Sequence, residues 1–352
     1  MFNIILNILI MHNKNSKSIK KYLFFFSSII LISLSCIDKN EAKKTITEDK
    51  VLAENKIVRD SIYYFKANPE QGFNFGYFLF VPKDFEIKKY NYLLIENTNT
   101  GPSDTLQIHI DRAKDEVLTY SMGNHIARKM KVLFLMPTFP RPFTEWQYYT
   151  HAFDSDTFTA KGKSFENIDQ QLLAMFYDAK KQLKEFGITI QPKFFLTGFS
   201  ASGTFANRFA MLHPEKIQAV AAGGLNGIAI LPLDSLNGKR LDFPLGKANV
   251  RQVTGKEINL EQFKNLPQFW FMGENDTNDA VEYDDGYTEN ERQIVYEEIN
   301  KKMMPDRWNF VSDIYERQGI NAKFITYKGV GHGTEGKIKD DIIDFFNNNS
   351  KR

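Results

Sequence analysis

From about residue 57 the chain alternates short apolar runs with longer amphipathic ones. The short runs, at 92–96, 132–136, 194–197, 217–222, 269–272 and 324–327, are mostly unbroken. Strands buried on both faces read this way, because neither side meets water. Residues 61–82 predict two further strands around a Pro-Glu-Gln-Gly turn. Helical periods lie between the runs. Residues 165–186 put Ile168, Leu172, Met175, Ala179, Leu183 and Phe186 on one face, with Gly187 placed to cap the C-terminus. Phe205, Phe209 and Leu212 share a face over 201–212, and Ile338, Ile342 and Phe345 over 337–346. Alternating strand and helix predicts an α/β fold, a doubly wound, mostly parallel sheet flanked by helices. The stretch 226–262, rich in Gly, Asn, Lys and Asp, breaks the rhythm. It is expected as an insertion over the C-terminal strand edges, where such sheets bind ligands, or as a small separate domain. Helical segments near 289–303 and 305–318 make a second insertion, over 280–318.

The first 56 residues have a different pattern. An apolar run of 13 residues (22–34) follows Lys14, Lys17, Lys20 and Lys21. A membrane-spanning helix needs about 20 residues, so the run fits the short apolar core of a secretory signal. Ser35 and then Cys36, the only cysteine, come next. This resembles a bacterial lipoprotein signal, in which cleavage leaves a lipid-bearing cysteine at the new N-terminus. Ser33 stands where that signal usually has leucine. The resemblance implies a signal over 1–35, a lipid at Cys36 and an exported, membrane-anchored protein. Met11 is an alternative start, because the apolar stretch 1–10 precedes the lysines. Residues 37–56, rich in Lys, Glu, Asp and Asn, are expected as a flexible tether. The folded domain then covers 57–352.

Composition narrows the chemistry. Hydrophobic residues make up 42% and charged ones 25%, with a formal net charge of +2, so no basic field points to a nucleic-acid partner. One cysteine permits no internal disulfide, and six scattered histidines show no metal-ligand spacing. Neither a metal nor another cofactor is expected.

The richest run is Phe194-Phe195-Leu196-Thr197-Gly198-Phe199-Ser200-Ala201-Ser202-Gly203. A strand enters a serine flanked by small residues and a helix follows at once, as in the nucleophile elbow G-x-S-x-G. Ser202 occupies the last glycine's place. Ser200 is the better nucleophile of the two serines, because a frame on Ser202 puts β-branched Thr204 at the crowded position. Serine needs a base, and the base needs an orienting acid. His332 in Gly331-His332-Gly333 follows the last strand, and Asp276 follows Phe269-Trp270-Phe271-Met272, with Glu274 and Asp279 as rivals. His151 precedes the serine and could line the pocket, while His109 and His125 lie near or on a polar helix. The oxyanion of such a reaction takes two donors. The Ala201 N–H is one, and the loop Glu96-Asn97-Thr98-Asn99-Thr100-Gly101 offers the other at Thr98 or Asn99. Arg141, in Pro137-Thr138-Phe139-Pro140-Arg141-Pro142, is either structural or a contact for an anionic group.

The elbow, the acid loop Gly273-Glu274-Asn275-Asp276 and Gly331-His332, in that order, resemble the α/β-hydrolase superfamily. Residues 205–215 are similar to the elbow helix of its esterase and depolymerase-like members. The resemblance spans roughly residues 60–350 and implies a serine hydrolase acting on a small or polymeric ester or amide. Two positions depart from it, Ser202 for glycine and Glu96-Asn97 for the usual His-Gly before the oxyanion loop. They keep open another class, a non-catalytic surface binding protein on the same scaffold.

Overall fold

Nine strands form one sheet in a computed structural model that describes residues 45–47 and 57–351. The expected signal, Cys36 and most of the expected tether lie outside the described residues. In chain order the strands are β1 (Thr45–Thr47), β2 (Ser61–Phe65), β3 (Tyr77–Val81), β4 (Leu93–Glu96), β5 (Leu133–Pro137), β6 (Phe194–Phe199) and β7 (Ile217–Gly223). The hairpin strands β8 (Ser235–Leu236) and β9 (Lys239–Arg240) stand apart from the sheet, and β10 (Gln268–Gly273) and β11 (Ala322–Tyr327) complete it. The spatial order is β1-β2-β3-β5-β4-β6-β7-β10-β11. β3 runs antiparallel to both β2 and β5, and all other neighbours are parallel. Thr45–Thr47 corrects the tether expectation at three residues: two β-branched threonines and an isoleucine suit a strand, and they pair with β2.

Apart from 324–327 in the half-buried edge strand β11, the apolar runs are buried on both faces, as their unbroken pattern implies. Leu93, Ile95, Leu196, Val220, Trp270 and Met272 pack on one side with the helices Ile168–Glu185 and Ala201–Leu212. Leu94, Phe134, Phe195, Ala219 and Phe271 face the other, against helices Met122–Met130 and Ile338–Asn348. The stretch 226–262 is irregular as expected, carrying the β8–β9 hairpin and a short helix, Val250–Thr254. Its beginning differs from a surface loop: residues 225–231 are all buried. The second insertion supplies helices Glu289–Ile294 and Trp308–Arg317 between β10 and β11.

Connectivity fixes where a site can form. From β4 the chain steps to β5 on one side, then returns past β4 to β6 on the other. The carboxyl ends of β4 and β6 thus flank the reversal point, where open α/β sheets hold ligands. β4 ends at the loop 97–101 and β6 ends at Ser200.

Candidate active site

Ser200 has φ 62° and ψ −127°, a backbone strain rare outside glycine. The turn is held so tightly that a Cβ on Gly198 would lie 2.2 Å from the Ser202 carbonyl oxygen. A Cβ on Gly203 would lie 2.4 Å from the Gly223 carbonyl oxygen on β7. Gly203, one residue late in the sequence, therefore provides the close helix–strand approach. Ser202 does something else. Its Oγ accepts from the Phe199 N–H at 2.9 Å and donates to the Phe199 carbonyl at 2.9 Å. It is buried and clips the elbow shut, so the hydroxyl left partly exposed is that of Ser200.

Asp276 and His332 follow the adjacent strands β10 and β11. Asp276 Oδ2 lies 2.8 Å from His332 Nδ1, and its Oδ1 accepts the Asn278 N–H at 2.9 Å. The Asp276 side chain is 1% exposed and that of His332 is 27%. A dry carboxylate thus fixes a ring that solvent or substrate can reach. An Nδ1–H donated to the carboxylate leaves a lone pair on Nε2, the tautomer a general base requires. The rival acids are occupied elsewhere. Glu274 accepts the Gly329 N–H at 2.8 Å, and Asp279 pairs with the buried Arg307. The Phe199 ring packs on the His332 ring at 4.7 Å between centroids, which brings the elbow beside the histidine loop. Ser200 and His332 make no hydrogen bond to each other among the described residues. Ser200 Oγ donates to Asn226 Oδ1 at 3.3 Å, and Asn278 Nδ2 lies 3.1 Å from His332 Nε2.

The loop after β4 is held from beneath by two buried histidines. The Thr100 N–H donates to His151 Nδ1 at 3.3 Å, and His151 Nε2 lies 2.9 Å from the Phe139 carbonyl. Thr100 Oγ1 lies 3.1 Å from His109 Nδ1, whose Nε2 reaches the Ser103 carbonyl at 2.8 Å. Burial pushes His151 down to about 3, so it stays neutral and serves as a spacer. The Asn99 N–H is taken by Glu116 Oε2 at 3.3 Å. The Thr98 N–H makes no hydrogen bond among the described residues. Ala201 opens its helix, where the backbone N–H has no intrahelical acceptor.

Glu96 departs from the usual His-Gly because it faces inward. Its Oε2 accepts the Gly123 N–H at 2.7 Å. Burial pushes Glu96 up to about 7, and burial with repulsion from Glu96 pushes Glu116 up to about 8. These folded-state carboxyls keep protons that the unfolded chain releases at the ordinary value of 4.5. Their effect on stability is most favourable below that value and is lost as pH rises through the folded values. The melting temperature should therefore fall between about pH 5 and about pH 9, and Glu116→Gln should flatten that slope. A wild-type profile already flat across this window would contradict the assignment.

No protein-family model matches this chain, and no curated protein does. Solved structures do. A poly(3-hydroxybutyrate) depolymerase from Bordetella parapertussis superposes with a TM-score of 0.53 at 14% identity, covering 87% of this chain and 96% of its own. A poly(aspartic acid) hydrolase-1 from Sphingomonas sp. KT-1 gives 0.50 at 14% identity, covering 81% of this chain and 97% of its own. The chain has the α/β-hydrolase fold. Within that α/β-hydrolase frame Arg141 is structural: it pairs with Asp285 at 2.7 Å and lies 3.9 Å over the Tyr149 ring. His151 sits fully buried beneath the loop that follows β4. Sequence reasoning missed the contacts of Asn226 and Asn278, since an isolated asparagine carries no spacing signal. Among the described residues no group of three or more His, Cys, Asp or Glu could hold a metal ion.

Proposed function

We propose that this protein is a serine hydrolase that cleaves a carboxylic ester or amide through an acyl-enzyme. Ser200 attacks the carbonyl, His332 takes the serine proton and returns it to the leaving group, and Asp276 orients the imidazole. The Ala201 and Thr98 N–H groups hold the oxyanion. Water then releases the acyl group, with His332 again as base. The observation that carries this reading is the hydrogen bond from buried Asp276 to the accessible His332, set beside a serine at positive φ. The matched depolymerase and poly(aspartic acid) hydrolase support a polymeric or small ester or amide as substrate. Leu106, Ile108, Phe143 and Trp146 are exposed on segments following β4 and β5. Nitrophenyl esters of graded chain length and aminoacyl amides test the reading. Turnover by the wild type and none by Ser200→Ala is expected, and equal turnover by both would refute it.

One observation favours a second reading, a non-catalytic binding protein on this scaffold: Ser200 donates to Asn226 rather than to His332. No turnover of any panel member would favour it.

We also propose that Cys36 carries a lipid that anchors the protein in the bacterial envelope. The 13-residue apolar run and the position of the single cysteine support this. Cys36→Ala should move the protein from the membrane fraction to the soluble fraction, and unchanged membrane retention would contradict lipid attachment there.

A further inference from the structure

Two asparagines occupy the hydrogen-bonding positions that the nucleophile and base need for each other. Asn226 Oδ1 accepts the Ser200 hydroxyl at 3.3 Å. Asn226 is itself fixed through its backbone, since its N–H donates to Thr204 Oγ1 at 3.0 Å and its carbonyl accepts from Tyr287 at 3.1 Å. Tyr287 Oη in turn accepts from the buried Arg208 at 3.3 Å. The acceptor is therefore tied into the core and only 8% exposed. Across the site Asn278 Nδ2 donates to His332 Nε2 at 3.1 Å, while the Asn278 N–H is held by Asp276. The lone pair that should take the serine proton is already engaged.

We propose that Asn226 and Asn278 are positioning residues that hold the resting nucleophile and base apart. Substrate entry then exchanges both amide hydrogen bonds before Ser200 passes its proton to His332. The proposal rests on the reading of Ser200 as nucleophile. No covalent step is added. The Ser200 O–H turns from Asn226 Oδ1 to His332 Nε2, and Nε2 releases the Asn278 amide. The device favours reaction with a ligand large enough to displace the amides over reaction with water or a small electrophile.

A small electrophile reports the resting state directly. The rate of inactivation of the full-length protein by diisopropyl fluorophosphate should rise about five-fold in Asn226→Ala and in Asn278→Ala, the size expected for one ordinary hydrogen bond released. For a small ester the gain should appear in kcat/KM, which refers to the free enzyme. A purely architectural role for either side chain would lower the melting temperature and would not raise the rate. Asn226→Ser and Asn278→Ser carry the same expectation, so loss of folding in one alanine variant still leaves a decisive partner. If the wild type is inactivated and the folded variants react at the same rate or more slowly, this inference alone is overturned. If no form is inactivated, the serine-hydrolase reading falls and this inference with it.

Discussion

Asp276→Asn should cut turnover of a nitrophenyl ester by about 10⁴-fold, with little change in melting temperature. The asparagine has a single oxygen, which either accepts the Asn278 N–H that now donates to Asp276 Oδ1 or turns to His332. It puts an amide N–H or a neutral carbonyl where Asp276 Oδ2 meets His332 Nδ1 at 2.8 Å. A donor there favours the other tautomer, with its proton on Nε2, and such a ring cannot take the serine proton. A neutral acceptor leaves the imidazolium formed during attack without its counter-charge. Both effects fall on the rate and neither falls on packing. The measurement is kcat at neutral pH beside a melting curve. A loss under ten-fold with the fold intact would mean that Asp276 does not orient the base.

Gly198→Ala should destabilise the protein and abolish its hydrolysis together. The new Cβ would meet the Ser202 carbonyl oxygen at 2.2 Å, its carbon at 2.5 Å and the Gly203 nitrogen at 2.8 Å. All three are backbone atoms, so no side-chain rotation can relieve the clash. The elbow has to open, which breaks the Ser202 clip on Phe199 and moves Ser200 out of place. Overpacking of this kind costs about 3 kcal/mol, or a fall of roughly 5 °C in melting temperature for a domain of this size. Calorimetry and ester turnover on the same preparation check both halves. Wild-type stability with wild-type turnover would contradict the described elbow geometry.

Most strands were legible because they are buried on both faces, while β11, at the sheet edge and only partly buried, was legible from its short apolar run. The run 194–197 became β6 and the run 324–327 became β11, each lengthened by only two residues. The helix Leu106–Asp115 shows the opposite case. Its buried residues are His109 and Ala113, while Leu106 and Ile108 face solvent, so hydrophobic periodicity misreports its inner face. The site divides in the same way. Ser200, Asp276 and His332 stand out because each follows an apolar strand in the chain order of the motif. Asn226 and Asn278 make side-chain hydrogen bonds to atoms that only the fold brings near. The Asn226–Ser200 and Asn278–His332 contacts span 26 and 54 residues of sequence. The Glu116 carboxyl that takes the Asn99 N–H is likewise 17 residues away in sequence.

The central claim is that Ser200 is a nucleophile. Intact-protein and peptide mass spectrometry after exposure to a fluorophosphonate tests it most directly. One phosphonyl adduct per chain, mapped to Ser200 and absent from Ser200→Ala and His332→Ala, is the predicted result. An unmodified wild-type protein, or an adduct that persists in Ser200→Ala, would contradict it.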